Sequence, residues 1–288
     1  MHRIAYVNGL YVPHGEARVH IEDRGFQLAD GVYELIALKG GRPIDLGPHL
    51  DRLGRSLKAL RIDWPMERSA LKIVLREVVR RNGIGDGIVY IQVTRGVARR
   101  DHAFPGTPIR SSLVVTSRRQ TLPGDEVFER GVSVVTTPDL RWKRCDIKSV
   151  GLLPNVLGKQ FARESGAFEA WLVDSSGHVT EGTSSNAWIV TPGGDIVTRQ
   201  EDWAILNGIT RKAVLGLVRG HGMRLVERPF TVVEAKAAPE AFITSTTSFV
   251  LPVVRIDGKT VGKGAPGPMT RKLRQAYLVA LADGAASW

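Results

Sequence analysis

Apolar residues return at two different periods along this chain, and each period predicts a different element. Leu50, Leu53, Leu57 and Leu60 recur at three- and four-residue spacing, as do Leu71, Val74, Leu75, Val78 and Val79. That is the stripe of an amphipathic helix that buries one face. The short runs Ile4 to Val7 and Leu10 to Val12 are split by Asn8-Gly9, and because both turn residues tolerate positive φ, a hairpin is predicted there. Val32 to Lys39 fits strand or helix by pattern. The Gly40-Gly41 turn and the short Arg42 to Leu46 run that follow favour a second hairpin. Ile88 to Thr94 and Ser111 to Ser117 read as strands on either side of an irregular loop, Gly96 to Pro108, rich in Arg and His.

The second half repeats the mixture. Strands are predicted at Val132 to Thr136, Ala170 to Asp174, Asn186 to Val190 and Asp195 to Thr198, and helices at Leu152 to Ser165, Ile209 to His221 and Met269 to Ala282. Strands and helices do not alternate regularly, which points to an α+β fold with mixed sheets instead of a doubly wound parallel sheet. The break at Leu122-Pro123-Gly124 predicts two domains, a small one over 1–121 and a larger one over 122–288.

Composition narrows the class. With 288 residues, 43% hydrophobic and 24% charged, the chain is a folded globular protein and not a disordered or collagen-like one. One cysteine, Cys145, closes no intrachain disulfide and supplies no zinc ligand set, so no metal is expected and the redox evidence is permissive of the cytoplasm. No window approaches the ~18 apolar residues of a membrane span, and the first residues lack a secretory apolar stretch; neither membrane nor export is expected. The net charge of +11 is spread along the chain without a basic block, which favours solubility over a nucleic-acid partner. Of the basic residues 29 are Arg and 11 Lys, so few side chains compete for amine chemistry.

Dinucleotide, Walker, zinc-protease and nucleophile-elbow signatures are absent. Most lysines sit in amphipathic helical patterns or beside glycine turns, whereas Lys148, in Arg141-Trp-Lys-Arg-Cys-Asp-Ile-Lys-Ser, runs into an apolar continuation. A lysine that loses hydration gives up its proton more readily and can form a Schiff base. Local sequence alone favours a blander account, pairing with Asp146 or another carboxylate. Asn207-Gly208-Ile209-Thr210 precedes an apolar helix, and a helix start of that kind offers unpaired N–H donors to an anion.

Several blocks in order then resemble one family. They are Glu22-Asp-Arg-Gly-Phe-Gln-Leu-Ala-Asp-Gly-Val-Tyr-Glu, His49-Leu-Asp-Arg-Leu, Gln92-Val-Thr-Arg-Gly, the Lys148 segment, Val179-Thr-Glu-Gly-Thr-Ser-Ser-Asn, Leu206-Asn-Gly-Ile-Thr-Arg and Thr244-Ser-Thr-Thr-Ser. Over nearly the whole chain these resemble the fold type IV, pyridoxal-phosphate-dependent aminotransferases, and within them the D-amino-acid (D-alanine) aminotransferases. The resemblance implies two domains with mixed sheets and pyridoxal 5′-phosphate between them. It implies Lys148 as Schiff-base lysine and proton shuttle, and Glu181 as partner of the pyridine nitrogen. Leu206 would pack on the ring. Arg52, the amides of Ile209 and Thr210, and Ser245 with Thr246 would hold the phosphate.

In the same family a Tyr, an Arg and a His trap the substrate carboxylate, at positions that match Tyr33, Arg100 and His102. A trap on one side of the cofactor fixes which Cα–H faces the lysine, and so selects D-amino acids, with a 2-oxo acid as acceptor. Because the family's loop reaches the neighbouring subunit, a homodimer is implied. The chain departs from the family at Gly151, where an Asn is usual, and at Thr183, where a Ser is usual. The competing readings are a branched-chain L-aminotransferase, an aminodeoxychorismate lyase and, outside enzymology, a basic nucleic-acid-binding protein.

Overall fold

The Asn8-Gly9 dipeptide turns with φ of 48° and 108° and joins β1 (Ile4–Val7) to β2 (Leu10–Pro13) as an antiparallel hairpin. The computed structural model describes residues 3–283 and residue 288; residues 1–2 and 284–287, at the outer ends of the two expected domains, lie outside the described residues. The backbone sorts into two units. One runs to Thr121 and includes Ile147–Gly151, and the other comprises Leu122–Asp146 and Leu152–Asp283.

In the first unit the hairpin is followed by α1 (Arg24–Leu28), β3 (Gly31–Lys39), β4 (Arg42–Pro43), α2 (Leu46–Leu60), α3 (Arg68–Arg81), β5 (Gly87–Thr94) and β6 (Ser112–Arg119). Six strands pair in the order β2-β1-β6-β5-β3-β4. The leucine stripe of α2 and the Leu71, Leu75 and Val78 stripe of α3 bury against Val32, Ile36, Val89, Ile91 and Val93 of the sheet. Truncating one of these leucines or isoleucines to Ala costs about 2–5 kcal/mol. The second hairpin is shorter than the sequence predicts. Asp45 turns the chain at φ 54°, and Leu46 joins the helical stripe at the spacing of Leu50 and Leu53.

The second unit holds α4 (Asp125–Arg130), β7 (Val132–Pro138), α5 (Leu153–Glu164), β8 (Glu169–Val173), β9 (Val179–Gly182), β10 (Asn186–Val190), β11 (Ile196–Thr198), α6 (Ile209–Gly220), β12 (Leu225–Glu227), α7 (Val232–Ala237), β13 (Glu240–Ser245), β14 (Phe249–Ile256), β15 (Lys259–Thr260) and α8 (Pro268–Asp283). Its sheet runs β12-β11-β10-β13-β14-β7-β8-β9, with β15 on β14. β7 lies parallel to both β8 and β14, while β10, β13 and β14 are antiparallel, so the fold is α+β with a mixed sheet. Trp171, Ile189, Phe230, Ile243 and Leu251 form its core. Among the described residues no helix is long and apolar enough to cross a membrane.

One segment packs away from its chain neighbours. Sequence reading puts Lys148 in the second domain, but Ile147–Gly151 belongs by its contacts to the first unit. The reason is backbone bonding: the Tyr33 amide donates to Lys148 O at 3.0 Å, the Val150 amide to Gly31 O at 3.0 Å, and Val32 bridges to Ser149.

Candidate active site

Alternation along β3 sends Tyr33 and Glu34 to opposite faces; Tyr33 is half-buried and Glu34 fully buried. Lys148 lies alongside, its amide donating to Ser56 Oγ at 3.2 Å and its Nζ standing 4.2 Å from the centre of the Tyr33 ring. Asp146, the carboxylate that local sequence offered to Lys148, instead takes both its bonds from Arg144 at 2.9 Å. Among the described residues no salt bridge reaches Lys148. On the same face Tyr90 packs against Tyr33, with ring centres 5.7 Å apart and planes tilted by 30°, and burial, helped by Tyr33, pushes the Tyr90 hydroxyl up to about 12.

On the other face of β3 is a buried cluster. Arg52 Nε donates to Glu34 Oε1 at 2.7 Å and Nη2 to Oε2 at 2.9 Å, while His49 Nδ1 lies 2.7 Å from Oε2. Burial alone would raise the Glu34 carboxyl, but the Arg52 charge and the bonds from Arg52 and His49 prevail and hold it at about 2. An ionised carboxylate only accepts, so His49 Nδ1 carries the hydrogen. Burial keeps the His49 imidazole below its ordinary value in spite of Glu34. Arg52 therefore lies on no solvated helix face: it is 4% exposed.

Glu181, in β9, is equally well enclosed. Arg141 Nη1 donates to its Oε1, Asn186 Nδ2 to Oε2 at 3.0 Å, and the Leu206 amide to both oxygens at 3.1 to 3.2 Å. Leu206 itself is half-buried, and its carbonyl accepts from Asn186 at 2.9 Å. Arg141 also grips Asp139 through Nη2 at 2.7 Å and Nε at 2.9 Å. Burial would lower the guanidinium's proton affinity, but the Glu181 and Asp139 charges outweigh it and raise it.

Helix α6 opens at Ile209 and Thr210, both buried. Its cap, Gly208, supplies no side-chain bond, and its first turn contains no acidic residue, which leaves the dipole's positive end for an anion. A Cβ on Gly208 would lie 2.2 Å from Asn186 Oδ1, so only glycine admits this approach. Ser245 ends β13, and Thr246 begins the turn that follows. Both are half-buried, and Ser245 Oγ accepts from the Ser248 amide at 3.0 Å.

Arg100 and His102 are not joined to Tyr33. Both are exposed on the stretch between β5 and β6, and among the described residues no hydrogen bond or ion pair links either to Tyr33 or Lys148. Gly151 has room: a Cβ there would meet Ser149 Oγ at 3.5 Å and Ala29 Cβ at 3.7 Å, ordinary contact distances. The hydroxyl of Thr183 bonds to Glu169. Sequence reading missed Glu34, His49, Arg141, Asp139 and Asn186. A charged residue inside the apolar run Val32 to Leu38 was the one available signal, for Glu34.

Comparison with known proteins gives a consistent result. A family model described as amino-transferase class IV matches residues 31–256. The D-alanine aminotransferase of Bacillus licheniformis is 44% identical over 269 residues, covering 93% of this chain and 94% of that protein. The D-alanine aminotransferase of Staphylococcus haemolyticus is 39% identical over 94% of this chain and 95% of its own length. Among solved structures, a T.th. branched-chain amino acid aminotransferase with pyridoxamine 5′-phosphate has a TM-score of 0.90 at 28% identity, over 98% of this chain and 95% of that one. The branched-chain aminotransferase of Thermoproteus uzoniensis has a TM-score of 0.85 at 26% identity, over 98% and 96%.

Proposed function

The chain belongs to the class IV aminotransferases, and from that membership we propose that it moves the amino group of D-amino acids, D-alanine among them, to a 2-oxo acid acceptor with pyridoxal 5′-phosphate as cofactor. The observation that carries this reading is at Lys148. Its Nζ rests 4.2 Å from the face of Tyr33, its backbone is tied to β3 and α2, and among the described residues it has no carboxylate partner. A fixed amine that neutralises no acid is available for covalent work.

The remaining residues suit the cofactor group by group. Glu181, held from three sides, would accept from a protonated ring nitrogen, and Leu206 would supply an apolar contact to that ring. In the second unit the amides of Ile209 and Thr210 at an uncapped helix start, with Ser245 and Thr246, are donors of the kind a phosphate takes, and in the first unit the Arg52 guanidinium is another. Pyridoxal 5′-phosphate held by such groups would supply an aldehyde function and an electron-withdrawing ring. Lys148 Nζ moves the proton that leaves Cα. Tyr33, Arg100 and His102 bind the substrate carboxylate, through one guanidinium and two directional donors.

The test is spectroscopic. The purified protein is expected to be yellow and to lose that colour on addition of D-alanine and not of L-leucine. Bleaching by L-leucine alone would transfer the chain to the branched-chain class that its structural neighbours represent.

We read the protein further as a cytoplasmic homodimer, with Arg100 and His102 serving the neighbouring subunit's substrate. In support of a second copy, the outer face of α5 exposes Leu153, Val156, Leu157 and Phe161, an apolar patch of the sort that subunit pairing covers. Sedimentation should give twice the chain mass of 31.5 kDa; a monomer with full activity would refute the pairing.

A further inference from the structure

The stretch that carries Arg100 and His102 leaves β5 at Thr94 and returns into β6 at Ser112. Long exposed loops are usually the least fixed part of a fold, yet this one is tied down at points on both sides of those two residues. At its base the Arg24 amide donates to Gly96 O at 2.9 Å, Asp23 bridges to Val97, and Thr94 Oγ1 donates to Asp23 Oδ2 at 3.0 Å. Farther out, Arg24 Nη1 donates to the Asp101 carbonyl at 2.6 Å. Asp101 is the residue between Arg100 and His102, and its own carboxylate accepts from the Ala103 amide at 3.1 Å.

Beyond His102, the ring of Phe104 is in contact with two guanidinium groups. Arg95 Cζ lies 3.7 Å and Arg61 Cζ 4.7 Å from its centre. Arg95 is itself fixed, because it donates to the last carbonyl of α2, Leu60 O, and to the carbonyl of its cap, Arg61 O, both at 2.8 Å. One carboxylate joins the two supports: Asp30 accepts from Arg24 Nε at 2.8 Å and from Arg95 Nε and Nη2 at 2.7 and 2.9 Å. Arg24 is 2% and Arg95 8% exposed. Burial alone would raise the Asp30 carboxyl, and the two arginines reverse that and hold it below its ordinary value.

We propose that Asp30, Arg24, Arg95 and Phe104 form a positioning device that fixes the backbone on both sides of Arg100 and His102, and that it thereby sets how tightly the substrate carboxylate is held. The inference rests on the reading of Arg100 and His102 as carboxylate-binding groups. None of the four device residues is assigned a contact with the cofactor, so their effect falls on substrate binding and leaves the proton transfer at Lys148 alone.

Phe104 is the residue to change, because it is 44% exposed and the fold does not depend on burying it. Hydrogen exchange over residues 97–108 and steady-state kinetics with D-alanine are measured on the holoenzyme for Phe104→Ala, Phe104→Tyr and Arg100→Ala. Losing a ring that two guanidinium groups contact should speed exchange in this stretch and raise KM roughly five- to tenfold with kcat within about twofold. Phe104→Tyr keeps an aromatic face and should restore both. Unchanged exchange in Phe104→Ala would overturn the device. If exchange rises and KM does not, Arg100→Ala identifies what has failed: a raised KM there means the device does not serve binding, and an unchanged KM means the carboxylate reading of the loop is wrong.

Discussion

Arg52 holds Glu34 through two parallel bonds, 2.7 Å and 2.9 Å long, with both side chains out of solvent. A buried pair of this kind gives little net stability over an apolar replacement, but taking away one partner strands the other charge, at about 3–5 kcal/mol. Glu34→Gln is therefore expected to lower unfolding stability at neutral pH by that order, as read in a denaturant melt.

The pair also has a pH signature. The folded carboxyl is held at about 2, below its ordinary value of 4.5, so its contribution is complete above 4.5 and is lost as pH falls from there toward about 2. In Glu34→Gln the fall of stability over that window should be shallower than in the wild type. An identical acid slope would mean that Glu34 does not carry it.

Arg141 divides its guanidinium between Glu181 and Asp139, and so orients the carboxylate proposed to face the cofactor's nitrogen. Arg141→Met should keep Glu181 in place through Asn186 and the Leu206 amide but remove its charged bond, which is worth about 1.5–3 kcal/mol. Cofactor affinity should fall roughly ten- to hundredfold in a fluorescence titration. An unaltered Kd would show that Arg141 serves the fold only.

How much of this was legible in the sequence depends on how local the cause is. The Asn8-Gly9 hairpin and the stripes of α2 and α3 follow from spacing within a few residues, and they were read correctly. β13 and β14 were not, because Glu240–Ser245 and Phe249–Ile256 are buried on both faces and show no alternation. Pro252 weakens the strand pattern further. Lys148 stood out because few lysines compete with it and an apolar run follows it. The cluster of Glu34, His49 and Arg52 was hidden, since β3 and α2 must already be packed before the carboxylate of one meets the side chains of the other. Arg52 alone looks like a solvated residue, and only the fold shows that it is buried.

Lys148→Ala tests the proposed covalent role. Its backbone bonds to Tyr33 and Ser56 do not involve the side chain, so the fold should persist. The phosphate donors remain as well, and the variant should still bind the cofactor, without a covalent link and without measurable turnover. Mass spectrometry after borohydride reduction should find the tag on position 148 in the wild type and on no residue of the variant. Ordinary turnover in Lys148→Ala would remove the residue from the mechanism.

Glu169 organises the turn that follows Glu181. Buried to 1% exposure, its carboxylate accepts from the hydroxyls of Thr183, Ser184 and Ser185 and from the amides of Ala170 and Ser184. Gly182 belongs to the same design, because a Cβ there would lie 2.3 Å from Ser185 Oγ. Replacing the carboxylate by an amide puts an NH₂ group where only acceptors suit the surrounding donors. Glu169→Gln should thus cost about 1–3 kcal/mol of stability. The loss should be concentrated in the turn, with hydrogen exchange over residues 182–185 rising more than in the sheet core. Because Glu181 precedes that turn by one residue, cofactor affinity should fall in parallel, whereas a Thr183→Ser variant, which keeps the hydroxyl, should leave both unchanged. If Glu169→Gln lowers stability uniformly and spares cofactor binding, the carboxylate supports the fold and not the site.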